Sequence, residues 1–199
     1  MAIAAVTALI SLLAILWNIG IAATFWGFTP ALVGVSLESS FAIPWWLTPF
    51  SATLIHGGYL HLALNLVMLV WVGAQVERVL GAAGFFLAYL IGALVAAAAQ
   101  WLAGPSSITP MVGASGAISA LFGIYALLAG RPRPLTGSAS VNRAIHAAWL
   151  LATWIVVQWM TQVLAGGQGV MLATPAHIGG FLAGLLIQRP LLLWRYRSA

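Results

Sequence analysis

The sequence contains no cysteine and no lysine, and it has few charged residues of either sign. Without cysteine the chain cannot form a disulfide framework, a thiol nucleophile or a thiolate metal site. Charged residues make up only 5% of the 199 residues, whereas hydrophobic residues make up 63%. The mean hydropathy is +1.07, and this balance is typical of an integral membrane protein.

Acidic residues are also scarce, because only Glu38 and Glu77 occur. The seven basic residues are all arginines, and they stand singly or in small groups between apolar runs. That spacing is typical of membrane topology signals rather than of a nucleic-acid surface, so no nucleic-acid partner is expected.

Six apolar runs predict an all-α, polytopic membrane protein, with a single domain over residues 1–199 built as a six-helix bundle. The runs cover residues 4–25, 57–76, 83–103, 115–130, 144–164 and 176–194. The first run lacks the basic start of a signal peptide, so we interpret it as an uncleaved span. The fourth run is short and begins inside a glycine motif. It therefore predicts a helix that starts below the membrane surface.

The arginines predict the orientation of these spans. Arg78 follows the second span, and the break between the fourth and fifth spans contains Arg131, Arg133 and Arg143. The end of the chain contains Arg189, Arg195 and Arg197. The positive-inside rule then predicts that both termini are cytoplasmic. The second, fourth and sixth spans would all start on the outer side, where His61, Asn65, Ser115 and His177 could share one outward-opening cavity.

Ser115 lies in the segment Gly113-Ala114-Ser115-Gly116, which opens the fourth apolar helix. Its hydroxyl would stand beside backbone N–H groups that lack partners within the helix, a setting that stabilises a developing oxyanion. The alternative is that the small residues let helices approach and that Ser115 is an interhelical hydrogen-bonding group.

His177 shares one helix face with Gly180 and Gly184, and that face carries no bulky side chain. A second helix could pack closely there and bring a serine to the imidazole. A Ser115–His177 dyad with His177 as general base is the favoured interpretation, and a structural hydrogen bond is the alternative. Glu77 lies across the membrane from this site, and Glu38 is a remote candidate for orienting the histidine as in a serine triad.

His61 and Asn65 are four residues apart and project from one face of the second span. Their side-chain N–H groups are candidate oxyanion donors, with interhelical hydrogen bonding as the alternative. His56 is expected to tie the preceding loop to the site, and His146 to lie at the cytoplasmic interface. The histidines lack nearby acidic ligands and a His-Glu-x-x-His pattern, so neither a metal nor another cofactor is expected.

Taken together, the pattern resembles the rhomboid family of intramembrane serine proteases, in its minimal six-helix bacterial form, over nearly the whole chain. The matching segments are His56 with His61-Leu62-Ala63-Leu64-Asn65, Gly113-Ala114-Ser115-Gly116, and Ala176-His177 followed by Gly180 and Gly184. The resemblance implies Ser115 as nucleophile, His177 as general base, and an oxyanion hole formed by His61, Asn65 and the Ser115 N–H. It also implies that the loop from Gly27 to Pro49 lies partly in the outer leaflet, with Trp45-Trp46 at the interface.

The same resemblance implies a mobile gate in the fifth span and a cap in the loop Gly166-Gly167-Gln168-Gly169. Two departures from the family pattern are visible. Family members often carry a Trp-Arg pair in this loop, whereas the segment Trp45-Trp46-Leu47 contains no arginine. Ser119 stands where a tyrosine often supports the catalytic histidine, so another aromatic ring or the Ser119 hydroxyl must supply that support.

The expected function is endopeptidase cleavage of single-span membrane proteins near the outer end of their helix, through an acyl-enzyme. The partners implied are these substrates and the lipid bilayer, with a bacterial inner membrane as the location, and the sequence leaves the oligomeric state open. The alternatives are a catalytically inactive rhomboid-like protein that binds or escorts membrane helices, and a small transporter. Inverted repeats, which would favour a transporter, are not visible.

Overall fold

The computed structural model of the chain describes residues 2–128, 134–164 and 173–197, and these residues are mainly helical. The helices are α1 (Ala2–Trp17), α2 (Ile19–Trp26), α3 (Thr48–Ser51), α4 (Tyr59–Ala103), α5 (Ser115–Leu128), α6 (Ala139–Leu164) and α7 (Thr174–Arg195). By length and composition, α4, α6 and α7 are able to cross a membrane, while α1 and α5 are apolar but shorter. The chain is a multi-pass membrane protein, and six crossings remain a prediction.

The 45-residue helix α4 is two limbs that meet at Gly81, where φ is 73° and ψ is 170°. Gly73 faces the ring of Phe85, and an added Cβ at Gly73 would lie 3.1 Å from that ring. Twelve residues of straight helix would separate these two positions by about 18 Å. The chain therefore folds back at Gly81, and residues 59–80 and 82–103 correspond to the predicted second and third spans. Glycine is the residue that tolerates this φ without strain.

Helix α5 lies at the centre of the bundle. Eleven of its fourteen residues are buried, and α4 and α7 cover most of its length. Its N-terminus is enclosed as well, since Ala114, Ser115 and Gly116 are all buried. A helix that starts below the membrane surface would need such enclosure, and its depth in the membrane stays a prediction. This enclosure supplies the surroundings that an irregular backbone requires at membrane depth.

Glycines and alanines form the contacts between these central helices. Gly92 faces Ala117 and Ala120, Gly116 faces Ala96, and Gly179 faces Ala99. Small residues let helix backbones approach closely where no hydrophobic effect drives association, so dispersion contacts hold the bundle together. Large apolar side chains point outward instead, such as Leu9, Leu102 and Leu186, each more than 60% exposed, and they form a surface suited to lipid.

The bundle groups the predicted cytoplasmic elements at one end. The Arg195 guanidinium lies against Gly81, and the Tyr196 hydroxyl donates a hydrogen bond of 3.0 Å to the carbonyl of Val79. The end of α7 and the turn between the limbs of α4 are therefore on the same side, as the arginine pattern requires. Arg131 and Arg133 lie outside the described residues.

The predicted first span, residues 4–25, is not one continuous helix in the structure, and its crossing of the membrane stays a prediction. It is divided at Asn18, where φ is −168° and ψ is 102°. The Asn18 side-chain oxygen accepts a hydrogen bond from the N–H of Ile21 at 3.1 Å and caps α2. Asparagine competes with the helix backbone in this way, so it divided a run that hydropathy alone treats as continuous. The predicted starts at 144 and 176 also fall late, because α6 begins at Ala139 and α7 at Thr174.

Candidate active site

Ser115 and His177 meet at the junction of two helices. Ser115 begins α5 and His177 lies in the first turn of α7, 62 residues further along the chain. The Ser115 Oγ is 2.8 Å from the His177 Nε2, and both residues are buried, at 7% and 3% exposure. This distance is a hydrogen bond between a hydroxyl and a ring nitrogen, the arrangement that activates a serine as a nucleophile.

Contact between the backbones of α5 and α7 brings the two side chains together. An added Cβ at Gly180 would overlap the carbonyl oxygen of Gly116, and one at Gly184 would overlap that of Ala120. On the other helix, Gly123 presses in the same manner on the Phe181 carbonyl. The face of α7 predicted to lack bulky side chains is thus the face on which α5 packs.

Backbone hydrogen bonds to Phe28 and Ala52 hold the segment that leads into Ser115. Phe28 and Met111 exchange two backbone hydrogen bonds of 2.9 and 2.8 Å, and the Gly113 N–H donates to the Ala52 carbonyl at 2.9 Å. The first loop therefore fixes the position of the helix start. The Ile118 N–H donates to the Ala114 carbonyl at 2.9 Å, and Ser115 stands at the helix start, where backbone N–H groups lack acceptors within the helix.

His56 also holds the segment that leads into Ser115, and the position of His56 depends in turn on Ser11 in α1. The Ala114 N–H donates to the His56 Nε2 at 3.3 Å. The Ser11 Oγ lies 2.7 Å from the His56 Nδ1 and also donates to the Leu54 carbonyl at 2.7 Å. Because Ser11 gives its only proton to Leu54, the Nδ1 of a neutral His56 must donate to Ser11. A chain of hydrogen bonds thus joins α1 to the residue before the serine.

Replacing Ser11 by alanine is expected to lower the free energy of unfolding by about 1–3 kcal/mol, because it leaves the buried His56 Nδ1–H without an acceptor. Thermal unfolding of the detergent-solubilised protein measures the effect. Ser36→Ala is the matched control, since Ser36 is exposed in the first loop. Equal melting temperatures for the two variants would show that the Ser11 hydroxyl has no stabilising role.

His61 stands over the backbone of Gly113. A Cβ added at Gly113, where φ is 116°, would come 2.9 Å from the His61 Nε2 and lie 3.8 Å from the Ser115 Oγ. Glycine is needed here both for its φ and for the space that the imidazole fills. The His61 Nδ1 accepts a 3.3 Å hydrogen bond from the Gly57 N–H, so the Nε2 of the neutral ring carries the proton and is available as a donor near the serine.

Asn65 is 1% exposed, and its Nδ2 donates to the His61 carbonyl at 2.9 Å. This bond uses one of the two amide N–H groups and leaves the second without an assigned partner. No hydrogen bond links Asn65 to Ser115 in the described part of the chain. Its role as an oxyanion donor therefore stays a prediction.

The His177 ring is supported by Trp154 of α6. The two rings meet edge to face, with centroids 6.4 Å apart and an interplanar angle of 67°. The Trp154 Nε1 donates to the Ser119 Oγ at 2.7 Å, and Ser119 donates to the Ser115 carbonyl at 2.7 Å. Ser119 thus acts on the histidine indirectly, by fixing the aromatic ring that contacts it.

A family comparison decides the assignment of the chain. The sequence model of the Rhomboid domain matches residues 44–194, which include Ser115, His177 and the residues that contact them. The chain belongs to the rhomboid family.

Individual relatives agree with this assignment. Rhomboid protease GlpG of Pectobacterium atrosepticum is 35% identical over 139 residues, 69% of this chain and 46% of that protein. RHOMBOID-like protein 5 of Arabidopsis thaliana is 29% identical over 70% of this chain and 42% of that protein. Rhomboid protease GluP of Bacillus subtilis is 31% identical over 70% of this chain and 25% of that protein. The chain matches less than half the length of each of these relatives.

Within this rhomboid, two site residues escaped the sequence analysis. Trp154 and Gln158 lie one helical turn apart in α6, and both are buried. The Gln158 Nε2 is 3.5 Å from the His177 Nε2. A glutamine inside an apolar span was the available signal, because such polar groups usually face the interior of a bundle.

Other candidates fall outside the site. The His177 Nδ1 is buried, and no residue of the described chain hydrogen-bonds it, so neither Glu38 nor Glu77 orients the ring from that side. His146 lies near the start of α6, away from the dyad in sequence and without a partner for its Nε2 in the described residues. The predicted cap, Gly166-Gly167-Gln168-Gly169, lies outside the described residues.

Proposed function

We propose that this rhomboid is an intramembrane serine endopeptidase that acts through a Ser115–His177 dyad. The observation that carries the proposal is the 2.8 Å hydrogen bond between two buried side chains on different helices. Burying a hydroxyl and an imidazole at the centre of an apolar bundle costs free energy, and polar groups in such positions usually mark a functional site. The names of several relatives as rhomboid proteases support the same chemistry.

In the first step, the Ser115 oxygen attacks the carbonyl carbon of the scissile peptide bond while its proton passes to the His177 Nε2. The resulting oxyanion would be stabilised by the backbone N–H of Ser115 and by the Nε2–H of His61, with Asn65 as a further donor. The C–N bond then breaks, and the histidine proton goes to the leaving amine. An acyl-enzyme remains on Ser115.

The proposed orientation places both termini in the cytoplasm and the dyad near the outer leaflet of a bacterial plasma membrane. The positions of the arginines and of the dyad along α7 support this orientation. The Gly81 turn lies beside the C-terminal end of α7, which carries arginine, whereas Ser115 and His177 lie at the N-terminal ends of α5 and α7. Under the positive-inside rule the arginine end is cytoplasmic.

The proposed substrates are single-span membrane proteins cut near the outer end of their transmembrane helix. A regular helix hides its carbonyl groups in hydrogen bonds, so the cleaved segment must unwind to reach Ser115. Helix-breaking residues such as glycine or proline near the cut, with a small residue before it, would favour cleavage.

Co-expression with candidate single-span proteins, followed by N-terminal sequencing of the fragments, tests this function. We expect wild-type protein to release a fragment cut near the outer membrane boundary, and Ser115→Ala to release none at the same expression level. Binding of the substrates without a Ser115-dependent cut would instead support the inactive, helix-binding alternative.

A further inference from the structure

We propose that Gln158 positions the water molecule that hydrolyses the acyl-enzyme on Ser115. This inference rests on the proposed function, because it concerns the second half of that reaction. Gln158 is 4% exposed and comes from α6, whereas the two members of the dyad come from α5 and α7. Two helices, α5 and α6, thus each place a polar side chain at the Nε2 of His177 in α7.

The distances around this nitrogen favour a shared water. The Gln158 Nε2 is 3.5 Å from the His177 Nε2, which is at the outer limit of a hydrogen bond and gives a weak direct contact. A separation of 3.5 Å leaves no room for a water between the two nitrogens, so the water would stand beside this contact, hydrogen-bonded to the carboxamide and to the His177 Nε2. The carboxamide offers both donors and an acceptor, so it can hold a water in either orientation of the amide.

Acylation changes what surrounds the histidine. In the resting site the Ser115 hydroxyl occupies the His177 Nε2, at 2.8 Å. Once the Ser115 oxygen is esterified it has no proton to donate, and the Nε2 becomes free to accept one from water. In the described part of the chain, Gln158 is then the polar side chain that remains within 3.5 Å of this nitrogen, where its carboxamide can hold a water in place of the serine hydroxyl.

A water held in the site would also supply the reactant that the low solvent exposure of the site otherwise excludes. Ser115, Gln158 and His177 are each 7% exposed or less, so bulk solvent does not reach them freely. A water that is already oriented beside the base lowers the entropic cost of the attack. If Gln158 served only to pair helices, a hydrogen bond from its amide to a backbone carbonyl would be sufficient. Its amide nitrogen instead faces the Nε2 of His177, the nitrogen that takes part in the reaction.

The step balances in atoms and protons. The water oxygen forms a bond to the acyl carbonyl carbon while one water proton passes to the His177 Nε2. The tetrahedral intermediate then collapses, the bond from the carbon to the Ser115 oxygen breaks, and His177 returns its proton to that oxygen. The product leaves as a carboxylic acid, and Gln158 is neither consumed nor charged.

Hydrolysis of a p-nitrophenyl ester by the purified full-length protein tests this role, because nitrophenol release separates acylation from deacylation. Wild-type protein is expected to give a burst dependent on Ser115 and then a slower steady rate. Gln158→Met, which matches the side chain in length without its amide, is expected to keep the burst rate within about twofold and to lower the steady rate roughly tenfold.

Gln158→Asn serves as a second variant, since it keeps the amide but is one methylene too short, and it should also slow only the steady phase. Met160→Leu is the matched control, because Met160 lies on the exposed side of α6. An unchanged steady rate, or a parallel fall of burst and steady rates, would overturn the water-positioning role. Ester turnover that persists in Ser115→Ala would instead contradict the proposed nucleophile.

Discussion

Ser115→Ala is expected to lower the rate of substrate cleavage by roughly 10⁴-fold or more, because the variant has no oxygen to form the acyl-enzyme. His177→Ala should cause a loss of similar size, since a buried serine without a base keeps its proton. The double variant should be no slower than either single variant. Groups that act as one unit lose their whole contribution when the first of them is removed.

Rates of fragment formation from a single-span substrate in liposomes measure this prediction. His146→Ala is the matched histidine control, because His146 lies in a different helix from the dyad, and its activity should stay near that of wild type. Thermal unfolding should show that Ser115→Ala remains folded. Cleavage of the same bond by Ser115→Ala at more than a small fraction of the wild-type rate would refute the nucleophile.

Gly184→Val is expected to have the largest effect on stability, with a loss of about 3 kcal/mol or more. Its Cβ would overlap the Ala120 carbonyl oxygen, a backbone atom that cannot rotate away as a side chain would. Helix α7 would have to move off α5. The same movement would separate Ser115 from His177, so activity should be lost together with stability.

Leu186→Val is the control for this variant. It introduces the same β-branched side chain into α7, at a position that is 76% exposed and faces away from the bundle. Thermal unfolding in detergent and the reactivity of Ser115 are the two measurements. Wild-type stability in Gly184→Val would mean that the close approach of α5 and α7 does not hold the bundle together.

The sequence predicted those features that depend on local pattern. Hydropathy located the apolar helices, including both limbs of α4, and the positive φ of Gly81 lies in the short break between the predicted runs 57–76 and 83–103. The absence of bulky residues on one face of α7 predicted where another helix would pack. His56 was expected to tie its loop to the site, and its Nε2 accepts a hydrogen bond from the Ala114 N–H, the kind of contact such a tie requires.

Features that depend on pairing between distant residues were not predictable from one sequence. Ser11 is 45 residues from His56, and nothing in the pattern of α1 indicates which loop its hydroxyl would reach. Ser119 was expected to act on His177 or to leave that role to an aromatic ring. The structure combines the two, because Trp154 contacts the histidine and Ser119 holds Trp154.

The division of the first helix has a different origin. Asn18 lies within an apolar run, so a window average hides it, but its side chain caps the helix that follows. A window average likewise gives little weight to Gln158, although α6 stays one continuous helix there. Asn18 is exposed and interrupts its apolar run by capping α2, whereas Gln158 is buried and contacts His177.

Labelling by a serine-directed fluorophosphonate is the most direct test of the proposed dyad, because it requires an activated serine but no natural substrate. Wild-type protein in membranes should carry the label on Ser115, as located by peptide mass spectrometry, and both Ser115→Ala and His177→Ala should remain unlabelled. Labelling that persists in His177→Ala, or that falls on another serine, would contradict the dyad.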